Sequence, residues 1–273
     1  MTLGDYLATA QELALRAGAE LLRHREAPIV SESKGVPREL VTAADRASER
    51  IVVGGLQRAF PEHEILAEEG VLTDESASRD GCEWLWIVDP LDGTTNFVHG
   101  LPFYAVAVAL AHRGAPVVGV VHAPALMTTY FASAGEGAFR SVGGAPPTRL
   151  HVSNTDDCAD ALIATGFSYN RNETGRDDNT ASVAAVLPRC RDLRRLGSAE
   201  LDLCLVADGS FDAYWERYLQ PYDVAAGAVI VREAGGAITD YAGGDDWLFG
   251  DSVVASNVHV HRELLGLLAS ARR

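Results

Sequence analysis

Asp89 and Asp92 stand three residues apart, directly after the apolar run from Trp84 to Val88. Pro90 stiffens the turn between them, and the Leu91 carbonyl adds a third oxygen in the same place. Carboxylate and carbonyl oxygens at this spacing can converge on a hard cation. Magnesium suits them because it keeps several waters and also binds phosphate oxygens. Gly93 lets the backbone come close to a ligand. The amides of Gly93, Thr94 and Thr95 then open a helix, and a helix start favours an anion. Acids for a metal beside amides for a phosphate describe a phosphoryl-transfer site. The same residues also fit an ordinary strand-to-helix turn, with Asp89 as a cap and Asp92-Gly93 as turn chemistry.

The elements that must hold these groups can be read from periodicity. Residues 3–25 place Leu3, Leu7, Ala10, Leu13, Ala14, Ala17, Leu21 and Leu22 at helical spacing. Residues 31–44 read as a loop or twisted hairpin, and Ala44 to Phe60 reads as a second helix. Ile65 to Ala67 is a short strand running into Glu68-Glu69, and residues 71–82 read as a mobile surface loop. Trp84 to Val88 is a strand buried on both faces, ending at Asp89-Pro90. A short helix follows Gly93 and stops before Pro102. Strands are expected at 103–111 and 117–122, and again around a Gly135-Glu136-Gly137 turn between Tyr130 and Phe139. Beyond Gly143-Gly144, strands are expected at 161–165, 211–215, 237–241 and 253–255. Helices are expected near 177–187, 199–207, 224–234 and 259–271. The chain reads as a single unit of residues 1–273, with subdomains 1–145 and 146–273.

Of the 273 residues, 38 are Asp or Glu and 23 are Lys or Arg, a net charge of −15. That balance argues against a nucleic-acid or anionic-membrane surface. It leaves a phosphate substrate open, because bound cations invert the local field. The cysteines at 82, 158, 190 and 204 form no C-x-x-C pair, so thiols in a reducing compartment are expected rather than zinc or a disulfide framework. No run of about 18 apolar residues occurs. The expected location is the cytoplasm.

The stretch Trp86-Ile87-Val88-Asp89-Pro90-Leu91-Asp92-Gly93-Thr94-Thr95-Asn96-Phe97 resembles the metal-binding signature of the inositol monophosphatase family, part of the lithium-sensitive, magnesium-dependent phosphatase superfamily. Tyr222-Asp223-Val224-Ala225-Ala226-Gly227, followed by Glu233-Ala234-Gly235-Gly236, resembles the family's second signature. Val41-Thr42-Ala43-Ala44-Asp45 resembles its V-T-x-x-D segment. The resemblance runs from the first helix to the last. It implies a layered αβαβα sandwich of mixed α+β and α/β character, with an antiparallel sheet in the N-terminal half and a smaller mixed sheet in the C-terminal half. It also implies a homodimer and about two to three magnesium ions per site. Glu68, Asp89, the Leu91 carbonyl, Asp92 and Asp223 match the metal ligands, and Glu69 matches a supporting neighbour. Asp45 and Thr94 match the pair that activates the attacking water, with Glu68 completing the catalytic set. As residues alone, Asp45 and Asp223 are equally plain helix caps.

On the same resemblance, Asp92, Gly93, Thr94, Ser198, Ala199 and Glu216 line the substrate. Glu216 is seven residues before Asp223, as in inositol-specific members, and a carboxylate is a sound acceptor for a polyol. It equally suits the ammonium of histidinol phosphate. Glu200 stands where a small residue is usual, and Tyr222 replaces the usual tryptophan. Arginines at 171, 176, 194 and 195 keep fructose 1,6-bisphosphate open as a substrate, or are solvated charges. The implied activity is hydrolysis of a small phosphorylated polyol, first of all inositol monophosphate. The alternative from a different class is a regulatory binding protein on the same fold, since some bacterial relatives act through RNA or transcription machinery.

Overall fold

The computed structural model describes residues 1–33, 39–70, 82–169, 171–173 and 177–271. Thr2 caps α1 (Leu3–His24), accepting from the Asp5 amide while the Asp5 carboxylate takes the Thr2 amide. The helix buries Ala10, Leu13, Ala14, Ala17 and Leu21 of the expected stripe together with Tyr6, while Leu22 turns out to solvent beside Leu21. β1 (Ser31–Ser33) and β2 (Leu40–Thr42) pair antiparallel, so the twisted hairpin forms. Its residues 34–38 lie outside the described residues, as do residues 71–81 of the expected surface loop. α2 (Ala43–Ala59) follows directly.

A seven-stranded sheet then builds in chain order from β3 (Glu64–Ala67), β4 (Trp84–Asp92), β5 (Ala105–His112), β6 (Ala115–Ala123), β7 (Thr128–Ser133), β8 (Gly137–Val142) and β9 (Thr148–Arg149). It is antiparallel except at one edge, where β3 runs parallel to β4. The short helix α3 (Thr94–His99) joins β4 to the segment before β5. β4 does not end at Val88 as its apolar run suggests. Pairing with β5 carries it through Asp92, with an irregular register between Asp89 and Asp92.

The second sheet has the order β11-β10-β12-β14-β13 and is mixed. Its strands are β10 (Leu162–Thr165), β11 (Asp192–Arg194), β12 (Ala213–Arg217), β13 (Ala237–Thr239) and β14 (Ser252–Ser256), with β10 parallel to both β11 and β12. Among the described residues this half carries the helices α4 (Thr180–Val186), α5 (Ala199–Ala207), α6 (Ala225–Glu233) and α7 (His261–Ser270). β11 has no counterpart among the expected elements. It is an edge strand with little burial, so no apolar pattern marks it.

Strand alternation sorts the side chains into five layers. Trp86, Val88, Val106, Val108 and Leu110 pack under α1 and α2. Leu85, Ile87, Ala105, Ala107 and Ala109 face the other way, onto α5 and α6. Those two helices also bury Ala164, Tyr214, Val253 and Ala255 of the second sheet. The outer face of that sheet, with Ile163, Ala213, Trp215 and Val254, is covered by α4 and α7 through Val186, Leu264 and Leu268. The result is the αβαβα stack. Trp215 is fully buried and donates to Asn179 Oδ1 at 2.9 Å. Truncating such a side chain to alanine costs about 3–5 kcal/mol. Among the described residues no helix is long and apolar enough to cross a membrane.

Candidate active site

The end of β4 turns sharply, and its neighbours hold the turn in place. Ser48 of α2 donates to the Pro90 carbonyl at 2.6 Å, and the Leu91 amide donates to Asp89 Oδ1 at 2.9 Å. Gly93 then takes φ +88°, a conformation few side chains tolerate, and a Cβ there would lie 2.8 Å from the Phe103 carbonyl oxygen. The chain leaves this turn as α3, which brings the Thr94 hydroxyl within reach of Asp45 and of the Leu91 carbonyl.

Thr94 Oγ1 lies 3.0 Å from Asp45 Oδ1 and 3.1 Å from the Leu91 carbonyl oxygen. Both are acceptors, and a hydroxyl has one proton to give. A cation on the Leu91 carbonyl would commit that proton to Asp45. Asp45 is fully buried, and its Oδ2 takes the Thr42 amide at 2.8 Å and the Thr42 hydroxyl at 2.6 Å. It is therefore not the cap of α2. Thr42 is the cap, and Asp45 is the acid of the capping box, with its second oxygen turned to Thr94.

Asp92 meets the start of α5. Ser198, the cap of that helix, donates from Oγ to Asp92 Oδ2 at 2.5 Å. The Glu200 amide reaches the same oxygen at 2.8 Å, and the Ala199 amide reaches Oδ1 at 3.2 Å. Asp223 sits in the 3₁₀ turn before α6, where its Oδ2 takes the Gln220 amide at 2.6 Å. It does not cap α6. The amides of Ala226 and Gly227, in the first turn of that helix, donate instead to the Glu200 carboxylate.

Glu68, Asp89, Leu91, Asp92, Gly93, Thr94, Ser198, Ala199, Glu216 and Asp223 all line one cavity of about 390 Å³. Asp45 lies behind Thr94 rather than on the wall. Glu69 turns its amide to Glu49 Oε2 at 2.8 Å, a supporting position. Of the arginines weighed for a second phosphate, Arg195 reaches the cavity. Arg171 donates to the Ser168 carbonyl, Arg194 pairs with Asp192, and Arg176 lies outside the described residues. Tyr169 and Asp202 also line the wall and carried no sequence signal of their own.

The acids titrate as a crowded, buried set. Burial pushes the Asp89 carboxyl well up, and the charges of Glu68, Asp92 and Asp223 push it further. Asp223 is raised by burial and then by Glu68. Burial also raises Asp92, against the hydrogen bonds from Ser198 and the α5 amides. Glu216 is pushed up to about 7 by burial, offset by its Tyr214 hydrogen bond and by Arg195. Carboxylates that repel each other across one cavity are relieved by a cation, and the donors are all oxygens, so the set fits a hard divalent metal. Among the described residues no group of three or more His, Cys, Asp or Glu side chains stands together closely enough to hold a metal ion as placed. The fit to a metal therefore rests on the chemistry of the oxygen donors that share the cavity.

Three comparisons bear on this geometry. The model of the inositol monophosphatase family matches residues 3–273. A putative Nus factor SuhB of Neisseria meningitidis serogroup B is 39% identical over 271 residues, covering 98% of this chain and 99% of the relative. An inositol-1-monophosphatase of Rhizobium meliloti is 40% identical over 255 residues, covering 93% and 92%. Among solved structures, an inositol monophosphatase from Anabaena superposes with a TM-score of 0.86 at 37% identity, covering 99% of this chain and 97% of its own.

Proposed function

Because the chain belongs to the inositol monophosphatase family, we propose that it is a magnesium-dependent hydrolase of small phosphate monoesters, with inositol monophosphate as the leading substrate. One observation carries the reading: Glu68, Asp89, Leu91, Asp92 and Asp223, drawn from three separate parts of the chain, line the same cavity as Thr94, which is bonded to buried Asp45.

Glu68, Asp89 and the Leu91 carbonyl would hold one magnesium ion, and Asp92 and Asp223 a second, with a third, weaker ion held mainly through Glu68. Bound magnesium lowers the pKa of water and offsets the charge of the phosphate. The amides after Gly93 orient the phosphate oxygens. Thr94 Oγ1 accepts a proton from the attacking water as its own proton passes to Asp45 Oδ1, and the Thr42 donors on Oδ2 hold that carboxylate in position. Ser198, Ala199 and Glu216 face the alcohol portion of the ester. The family resemblance adds a homodimer and a cytoplasmic location to the proposal.

The test is phosphate release from inositol 1-phosphate with magnesium and with a chelator. Release that persists in the chelator, or that survives Asp92→Asn in a folded protein, removes the metal assignment. The relative named as a Nus factor supports a second reading, a regulatory binding role on the same fold. The complete acid set favours hydrolysis, since a purely regulatory protein has no use for it.

A further inference from the structure

Asn96 is buried in the first turn of α3, two residues after Thr94. Its Nδ2 lies 2.7 Å from the Phe103 carbonyl oxygen, 2.8 Å from that of Leu196 and 3.2 Å from that of Gly197. Three carbonyl oxygens that converge on one atom can face only a donor, so the acceptors themselves identify it as the amide nitrogen. Its two hydrogens serve the nearer carbonyls, and the third carbonyl shares one of them.

The carbonyls come from two places. Phe103 precedes β5, while Leu196 and Gly197 lead into α5. Gly197 takes φ +90°, and a Cβ there would lie 2.2 Å from Arg195 Nη1 and 3.2 Å from Asn96 Nδ2. The Gly197 carbonyl oxygen in turn is 3.3 Å from the place a Gly93 Cβ would take. The turn after β4 and the approach to α5 therefore meet backbone to backbone. One residue on, Ser198 donates to Asp92 Oδ2, and the Ala199 and Glu200 amides hold the same carboxylate. Segments 92–96 and 196–200 are thus joined twice, through Asp92 at one end and through Asn96 at the other. A single attachment lets one segment pivot on the other, whereas two fix its direction.

We infer that Asn96 is a positioning residue for Asp92: by binding the carbonyls of Leu196 and Gly197, it sets the direction from which Ser198, Ala199 and Glu200 hold that carboxylate. This rests on the phosphatase reading, in which Asp92 is a magnesium ligand, and deepens it. Asn96 acts through the start of α5 and touches neither the metal nor the ester.

The experiment measures magnesium binding to chelator-treated protein by titration calorimetry. It compares the unaltered protein with Asn96→Leu, which removes the donors at similar volume, with Ser198→Ala and with the double variant. Each single substitution is expected to weaken binding about 10-fold, the effect of losing a support behind a metal ligand. Because both act along one route, the double variant should bind about as weakly as the weaker single variant. Losses that multiply overturn the inference, as does a loss in Asn96→Leu with none in Ser198→Ala. An unchanged magnesium affinity in Asn96→Leu, with stability in urea reduced, marks Asn96 as packing alone and also overturns it. If Asn96→Leu does not fold, Asn96→Ser, whose hydroxyl is too short to reach the same carbonyls, takes its place with the same expected and opposing results. The titration needs no turnover, so it decides the role of Asn96 even for a protein that acts on another ester. An unaltered protein that binds no magnesium and releases no phosphate fails the phosphatase reading before Asn96 is touched, and the inference falls with it.

Discussion

Glu200 and Asp92 are joined at the start of α5: the Glu200 amide donates to Asp92 Oδ2 at 2.8 Å. The Glu200 carboxylate meanwhile accepts from the amides of Ala226 and Gly227 at 3.1 and 2.5 Å. One residue therefore ties the aspartate at the end of β4 to the helix that follows Asp223. Replacing Glu200 with alanine leaves two buried amides without partners. The expected loss is about 2–4 kcal/mol of stability, read from urea unfolding. The magnesium concentration for half-maximal activity should rise about 10-fold or more, because supporting residues of this kind tune metal affinity. An unchanged magnesium midpoint would show that Glu200 is a packing residue alone.

Thr94 and Asp45 make a second prediction. Thr94→Val keeps the shape and removes the hydroxyl, so kcat should fall about 100-fold or more with little change in KM. Thr94→Ser keeps the hydroxyl and should retain most of the rate. Equal activity in the valine variant would eliminate the proton path through Oγ1.

The pH dependence follows from the raised carboxyls of Asp89, Asp223 and Glu200. A carboxyl whose folded pKa is raised holds its proton more tightly folded than unfolded. Its stability contribution is complete below the ordinary values of 3.8 for Asp and 4.5 for Glu, and is lost as pH climbs through the folded values. Magnesium should offset that loss where the acids are ionised. The melting temperature gained on adding magnesium to chelator-treated protein should thus be larger at pH 8 than at pH 5. The reverse order would contradict a metal site built from these acids.

Gly93 tests the turn itself. At φ +88° with the Phe103 carbonyl 2.8 Å from a would-be Cβ, Gly93→Ala must strain the backbone or push α3 away. A cost of about 1–2 kcal/mol is expected, together with a larger fractional loss of activity than of folded protein. Full activity in this variant would mean that the amides after Gly93 do not orient the phosphate.

The sequence makes one part of this site far more legible than the other. Trp84 to Val88 is apolar on every residue because both faces of β4 are covered, so the strand and the acids at its end stand out. Asp45 and Thr94 carry recognisable local chemistry, although the structure makes Thr42 the cap and Asp45 its partner. Glu200 and Asp202 are harder. α5 lies between the two sheets and is buried nearly all round, so it shows no polar face against which two inward acids would look out of place. Their partners, Gly227 and Glu216, are more than ten residues away and meet them only through the fold. β11 and the continuation of β4 through Asp92 are likewise products of pairing rather than of their own residues.

The five-layer stack has a consequence for how this chain can change over time. Glu68, Asp89, Asp92 and Thr94 hang from the first sheet and its connections, while Glu216 and Arg195 belong to the second, and Asp202 to the helix between. If the proposed function holds, substitutions in the second sheet would change which alcohol is accepted while leaving the proposed metal ligands of the first sheet in place. On the proposed reading the two sheets would thus carry separate duties, and Asp223, in the turn before α6, is the proposed metal ligand that the C-terminal half supplies to the cavity.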